Sequence, residues 1–238
     1  MKSVLSTVYR LAMENGKAKS NPARAIKRRR EENTKLRFLS PSEEKALRAE
    51  IANSYPWHLP EYLVALNTGM RPSEQYELEW SNVDFEWKQI SVLRSKTGKP
   101  RHIPMNSEVV SALRTVEARP VRGRRVFLSE DGSPLVGYKH WFGPALETAK
   151  LCDTGVTWYT LRHGFASRLV MAGVDLRTVA DLMGHATIQM TMRYARLAPA
   201  HKLDAVERLV STGPDTDTNT DTKQISESVQ PQQVVVLQ

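Results

Sequence analysis

The sequence predicts an α+β fold, mainly helical, with one small antiparallel sheet. Apolar residues recur at helical spacing through most of the chain, whereas residues 83–105 shorten into β-rich segments around a turn signal. Composition sets off both ends: residues 21–37 are basic, and 211–238 are drawn largely from Thr, Asp, Ser and Gln.

Taken in order, residues 3–15 form an amphipathic helix with Val4, Val8 and Leu11 on one face and Gly16 behind it. A lone helix of this length is marginal unless it packs on something. Asn21-Pro22 breaks the chain, and Lys27-Arg28-Arg29-Arg30 reads as an exposed linker that can lie along phosphates. Ser40-Pro41-Ser42-Glu43 starts the next helix: serine as N-cap, proline in the first turn, glutamate closing a capping box. That helix should run to about Ile51. Residues 60–66 give a mostly apolar helix ending near Gly69, and 72–78 a short third one. Residues 83–85, 89–93 and 101–105 are strands, the last two flanking the turn Lys96-Thr97-Gly98-Lys99. Residues 106–118 return to helix, followed by helices at 138–150, 160–172, 176–183, 187–194 and 199–210. The polar tail 211–238 is expected to be disordered.

Composition narrows the function classes. With 40% hydrophobic and 25% charged residues, the chain has the means of an ordinary soluble domain. One cysteine, Cys152, excludes an intrachain disulfide and a cysteine-rich zinc site. No apolar run approaches the roughly 18 residues of a membrane span, and the first residues lack the apolar core of a signal peptide. The expectation is a cytoplasmic protein with no membrane partner. The net charge of +8 is unevenly placed: residues 1–37 hold eleven Lys/Arg against three Glu, and residues 213–238 one Lys against four acids. A basic arm on a nearly balanced body points to a polyanion, most simply nucleic acid; the alternative is a solvated basic linker.

The candidate chemistry lies in separate motifs. Arg71 precedes a helix start, where planar donors and a positive dipole end make a phosphate clamp, or where it simply pairs with Glu74. Arg162 heads a helix whose Leu161, Phe165, Leu169 and Val170 form a buried stripe; it is a phosphate ligand or an arginine capping carbonyls. His163, one residue on, turns to another side and reads as structural. His185, after Gly184 at a helix break, either serves a phosphate oxygen or a proton, or is a satisfied structural group. Tyr194, nine residues later, is a nucleophile or an interface residue, and a phenol with a pKa near ~10 needs help to attack. Lys96 at the hairpin tip either protonates an alkoxide leaving group or is a solubilising loop lysine. Two arginines, a histidine and a tyrosine are what phosphoryl transfer through a tyrosine nucleophile requires.

The four motifs Thr68-Gly69-Met70-Arg71-Pro72-Ser73-Glu74, residues 95–105, Thr160-Leu161-Arg162-His163-Gly164 and residues 182–194 closely resemble the tyrosine recombinases, or phage integrases. The resemblance runs in order over about residues 38–210. It implies a tyrosine-recombinase catalytic domain there, preceded by a basic linker at 21–37. Residues 1–20 then correspond to the last helix of a core-binding domain, so the chain reads as N-terminally short. It implies a DNA strand transferase that cleaves and rejoins specific sites on double-stranded DNA through a 3′-phosphotyrosine, as a homotetramer on paired sites, with no cofactor and no metal. Arg71 and Arg162 would be the catalytic arginines, Glu74 the support of the first, Lys96 the general acid, His185 the histidine of the last motif and Tyr194 the nucleophile. Tyr159 stands where most of the family has a histidine. Arg24, Lys27, Arg28, Arg29 and Arg30 would contact DNA. The competing readings are a truncated DNA-binding remnant or modulator that does not recombine, and a nicking and closing enzyme of topoisomerase type.

Overall fold

A computed structural model of the chain describes residues 2–26, 36–93 and 100–198. The Lys96 turn, the basic run Lys27–Arg30, the helix expected at 199–210 and the polar tail lie outside the described residues.

The first helix, α1 (Lys2–Glu14), forms as its periodicity predicts, with Val4, Leu5, Val8 and Leu11 exposed. Asn21 caps a short 3-10 turn, Pro22–Arg24, and its Nδ2 donates to the Ser6 carbonyl at 3.1 Å. This folds the turn back onto α1. Arg24 on that turn is exposed.

From residue 36 the chain builds a helical body. In α2 (Pro41–Ser54) the capping box is complete: Ser40 Oγ accepts from the Glu43 amide at 3.3 Å, and Glu43 Oε2 from the Ser40 amide at 2.8 Å. The helix runs past Ile51 to Ser54 and stops before Pro56, whose ring cannot continue the ladder. Next, α3 (Leu59–Thr68) is buried on almost every side and ends where Gly69 takes a left-handed φ of 59°. Its buried Glu61 accepts from Tyr76 Oη at 2.9 Å and contacts His58 Nδ1 at 2.7 Å, so the carboxylate is not left without partners. The short α4 (Pro72–Tyr76) follows, with Arg71 at its N-cap.

Strands β1 (Val83–Asp84), β2 (Gln89–Val92) and β3 (Arg101–Pro104) pair antiparallel in the order β1-β2-β3, with Ile90 opposite Ile103. Alternation along β3 buries Arg101 and Ile103 and exposes His102 and Pro104. One charge is therefore committed to the inner face.

After the sheet, α5 (Ser107–Glu117) starts under an Asn106 cap and buries Val109, Ala112, Leu113 and Val116. Helices α6 (Lys139–Thr148) and α7 (Trp158–Met171) follow. The latter starts at Trp158 rather than 160. Thr157 and Thr160 make the reciprocal box, which the usual Glu or Gln signature does not reveal. Asp175 caps α8 (Leu176–Met183) by accepting from the amides of Arg177 and Thr178.

The helix expected at 187–194 is a correction. Only α9 (Gln189–Met192) is α-helical, and a 3-10 turn, Ala195–Leu197, follows it. The amides of Thr191, Tyr194 and Leu197 bond the carbonyls of Ile188, Thr191 and Tyr194, three residues back in each case. This tighter winding places Tyr194 between two helical pieces rather than on a regular amphipathic helix.

Two clusters form the core. Trp141, Phe142, Trp158 and Leu161 belong to the larger one, with α3, the sheet and α5. Ala166, Val170, Val179, Met183 and Tyr194 make the smaller one. Helix α7 contributes to both, so its first turns carry Arg162 and His163 past the junction between them. Among the described residues, no helix is long and apolar enough to cross a membrane.

Candidate active site

The site is organised around one buried carboxylate. Glu74, on α4, receives Arg71 Nη1 at 2.7 Å on Oε1 and the Arg71 amide at 2.8 Å on Oε2. Arg101 reaches it from β3 in a bidentate fork, Nη1 to Oε1 at 3.1 Å and Nη2 to Oε2 at 2.7 Å. Burial alone would raise the carboxyl of Glu74. The bonds from Arg101 and Arg71 outweigh it and hold the carboxyl below its ordinary value. Removing one member of such a buried triad leaves uncompensated charge, typically worth about 3–5 kcal/mol.

Both arginines that the sequence singles out then turn towards the loop after α8. Arg71 Nη2 donates to the Gly184 carbonyl at 3.1 Å. Arg162, on α7, donates from Nη2 to the Met183 carbonyl at 2.6 Å and from Nη1 to the Gly69 carbonyl. Arg101 Nε holds the Leu182 carbonyl at 2.9 Å. Three consecutive carbonyls at the C-terminal end of α8 are thus each met by a different guanidinium, which suits the negative end of that helix. The alternatives raised by the sequence coexist: Arg71 does pair with Glu74, and Arg162 does cap carbonyls. Burial first, then the charge of Arg71, holds the Arg162 guanidinium down at about 10, and it stays cationic at neutral pH.

Two glycines permit this approach. A Cβ on Gly69 would lie 2.4 Å from Cδ1 of Phe165, and one on Gly184 would lie 2.9 Å from Arg101 Nη1. Both residues have left-handed φ, 59° and 62°, which side chains disfavour.

His185 follows Gly184 at the break. Its Nδ1 contacts Thr191 Oγ1 at 2.7 Å, and Thr191 is fully buried. Burial first, then Arg162, Arg71, Arg101 and Arg193, push the imidazole down to about 4. Four cationic groups therefore act on this one histidine, the field expected where an anion is to sit.

Tyr194 is 1% exposed. Its Oη contacts His163 Nδ1 at 2.7 Å. Burial raises the phenol, while Arg193 and Arg162 act in the opposite direction. The 3-10 turn after Tyr194 packs on α7 and brings the phenol to His163.

The structure thus brings together Arg71, Glu74, Arg162, His185 and Tyr194. Tyr159 sits in the first turn of α7 and is half exposed, without a hydrogen bond to Arg162 or Tyr194 among the described residues. Lys96 lies outside the described residues, as do Lys27, Arg28, Arg29 and Arg30. Sequence reasoning missed Arg101 and Thr191 and gave His163 no part in chemistry. For Arg101 a signal existed: Arg101, Ile103 and Met105 alternate as one buried face.

Residues 37–201 match the model of the phage integrase family. Among curated relatives, the chain is 28% identical over 211 residues to the tyrosine recombinase XerC of Pediococcus pentosaceus, covering 82% of this chain and 69% of that one. It is 31% identical over 188 residues to the integrase of Haemophilus phage HP1, covering 79% of this chain and 51% of that one. It therefore spans only about half the length of the phage relative. Among solved structures, the Tn1549 transposon integrase in complex with transposon right end DNA superposes with a TM-score of 0.71 at 25% identity, over 88% of this chain and 78% of that one. The catalytic domain of the HP1 integrase gives 0.58 at 30% identity, over 77% of this chain and 98% of that one.

Proposed function

This chain belongs to the phage integrase family, the tyrosine recombinases, and from that premise we propose that it cleaves and rejoins specific sites on double-stranded DNA through a phosphotyrosine on Tyr194. One observation carries the reading: Arg71 and Arg162 donate to the adjoining carbonyls of Gly184 and Met183, directly beside His185, and Arg162 also acts on the Tyr194 phenol.

The chemistry follows from that juxtaposition. A guanidinium carries five N–H donors, and the bonds among the described residues use two in each of Arg71 and Arg162. The others are available to the non-bridging oxygens of a scissile phosphate. If Thr191 donates its hydroxyl to Nδ1 of His185, the imidazole proton sits on Nε2 and supplies a third donor. Tyr194 Oη attacks phosphorus, the bond to the 5′ oxygen breaks, and Lys96 protonates the departing oxygen. Preorganised donors on the developing charge are the largest contribution expected to the rate. In the sequence, Lys96 lies shortly before Arg101, the residue through which β3 grips Glu74 and, through it, Arg71. Residues 38–210 are proposed as the catalytic domain, with exposed Arg24 and the basic run Lys27–Arg30 lying along phosphates beside it. Strand exchange between two sites would take a homotetramer.

A nicked suicide duplex tests this. Wild-type protein is expected to give a denaturant-stable protein–DNA adduct, and Tyr194→Phe, which loses only the hydroxyl, is expected to bind DNA and give none. An adduct formed by Tyr194→Phe would remove Tyr194 as nucleophile. Wild-type protein that binds its site and never forms an adduct would instead be a non-recombining DNA-binding protein.

A further inference from the structure

We propose that His163 is the base of this reaction: its Nδ1 takes the proton of the Tyr194 hydroxyl as the phenol attacks phosphorus, and gives it back when the link is broken. The inference deepens the reading above and rests on it.

A buried phenol is protonated at neutral pH, and this one is held above its ordinary value. Its proton must therefore leave as the oxygen–phosphorus bond forms. The groups around the hydroxyl decide where it goes. Arg162 and Arg193 act on it as cations and accept nothing. His185 has its Nδ1 engaged with Thr191. Tyr159 is half exposed and makes no hydrogen bond to the phenol among the described residues. His163 Nδ1 is 2.7 Å from the hydroxyl oxygen, within the range a proton transfer needs, and the two rings lie 6.0 Å apart between centroids at 46°. Among the described residues, the charged and titratable groups acting on His163 are Arg193, Arg162 and Tyr194. Burial first, then those two arginines, holds the imidazole below its ordinary value. At neutral pH it is uncharged, and with its proton on Nε2 it presents a lone pair at Nδ1.

The step balances. The Tyr194 O–H bond breaks and its proton passes to Nδ1, leaving the electron pair on oxygen. That oxygen bonds phosphorus, the bond from phosphorus to the 5′ oxygen breaks, and that oxygen is protonated by Lys96. The imidazolium formed beside Arg162 and Arg193 is offset by the phosphodiester charge that arrives with the substrate. In the rejoining step the imidazolium returns its proton to the departing phenolate. Among the described residues, His163 is the proton acceptor hydrogen-bonded to the hydroxyl, so loss of its basicity is felt in the attack and not in the departure of the 5′ oxygen.

The experiment measures single-turnover adduct formation on the nicked duplex with the full chain, wild type and His163→Asn, across pH. Asparagine keeps an acceptor near the position of Nδ1 but has no proton affinity at these pH values. DNA binding is expected to stay within about twofold, and adduct formation to fall by about a hundredfold or more, the usual contribution of a positioned base. A duplex with a 5′-bridging phosphorothiolate, whose thiolate leaves without a proton, is expected to restore Lys96→Ala and leave His163→Asn slow. The wild-type rate is expected to rise with pH through an imidazole ionisation and then level off, and the absence of that rise would exclude His163 even if the variant does not fold. His163→Asn attaching within about threefold of wild type, rescue of it by the thiolate, or a wild-type profile without that ionisation would each overturn the proposal. Failure of wild-type protein to form any adduct would instead overturn the reading it rests on.

Discussion

At the scale of single residues, the arginines illustrate how one group can be structural and reactive at once. Arg71 and Arg162 are fixed by carbonyls and by Glu74 before any DNA arrives, so their donors are already aimed. Arg71→Ala and Arg162→Ala should each slow single-turnover cleavage by about a hundredfold to a thousandfold, the usual effect of losing one preorganised donor. A loss below about tenfold would show that the arginine only holds the fold. Tyr159 is the counter-case. Half exposed and on the outer side of the first turn of α7, it has room for a smaller ring. Tyr159→His should preserve or raise the rate of adduct formation, since an imidazole carries protons near neutral pH and a phenol does not. A severe loss in a folded Tyr159→His protein would show that the pocket depends on the phenol.

At the scale of elements, the site is made where helices end. Gly69 closes α3, Arg71 opens α4, and Gly184 closes α8 with a left-handed φ against Arg101. Helix ends expose donors and acceptors that the helix itself cannot satisfy, and here the unsatisfied carbonyls are used to hold guanidiniums. Gly184→Ala tests the arrangement. The added methyl meets a left-handed backbone and the Arg101 guanidinium together, so stability should drop by about 1–2 kcal/mol. Adduct formation should also fall, because Arg101 holds Glu74 and Glu74 holds Arg71. Thermal unfolding and the nicked-duplex assay read the two effects separately, and an unchanged melting temperature would contradict the close approach at Gly184.

At the scale of the whole molecule, α7 joins the two core clusters, so the fold and the chemistry share one strut. The cost is visible in the histidines. His185 is pushed down to about 4 from an ordinary 6.5, and His163 is lowered as well, by burial and neighbouring arginines. The unfolded chain therefore takes up protons at these positions before the folded chain does. Stability is fully retained above the ordinary imidazole value and is lost as pH falls from about 6.5 towards about 4. Thermal melts at pH 7.5 and pH 5 should show this fall, and His185→Gln should reduce it. An equal fall in His185→Gln would place the acid sensitivity elsewhere. A bound phosphate opposes this shift at His185, because an anion favours the imidazolium; DNA should therefore protect most at the acid end of the window.

The sequence by itself determined where most elements lie and which side chains carry chemistry. The Ser40 capping box and the glycines at 69 and 184 are local signals, read by the same short-range sterics and hydrogen bonds that form the helix ends. The motifs around Arg71, Arg162, His185 and Tyr194 were likewise legible as short strings. Only the tertiary structure decided who meets whom. Arg101 reaches Glu74 across 27 residues of chain, His163 reaches Tyr194 across 31, and Arg71 reaches Gly184 across 113. Hydrophobic periodicity reports which face of an element is buried, but not which group waits on the other side. For that reason Arg101 passed as one more strand residue and His163 as a structural one. The split of the last helix at Tyr194 escaped for the same reason: Thr191 is held by His185 from outside its own turn, and packing on α7 sets the phenol where a regular helix would not.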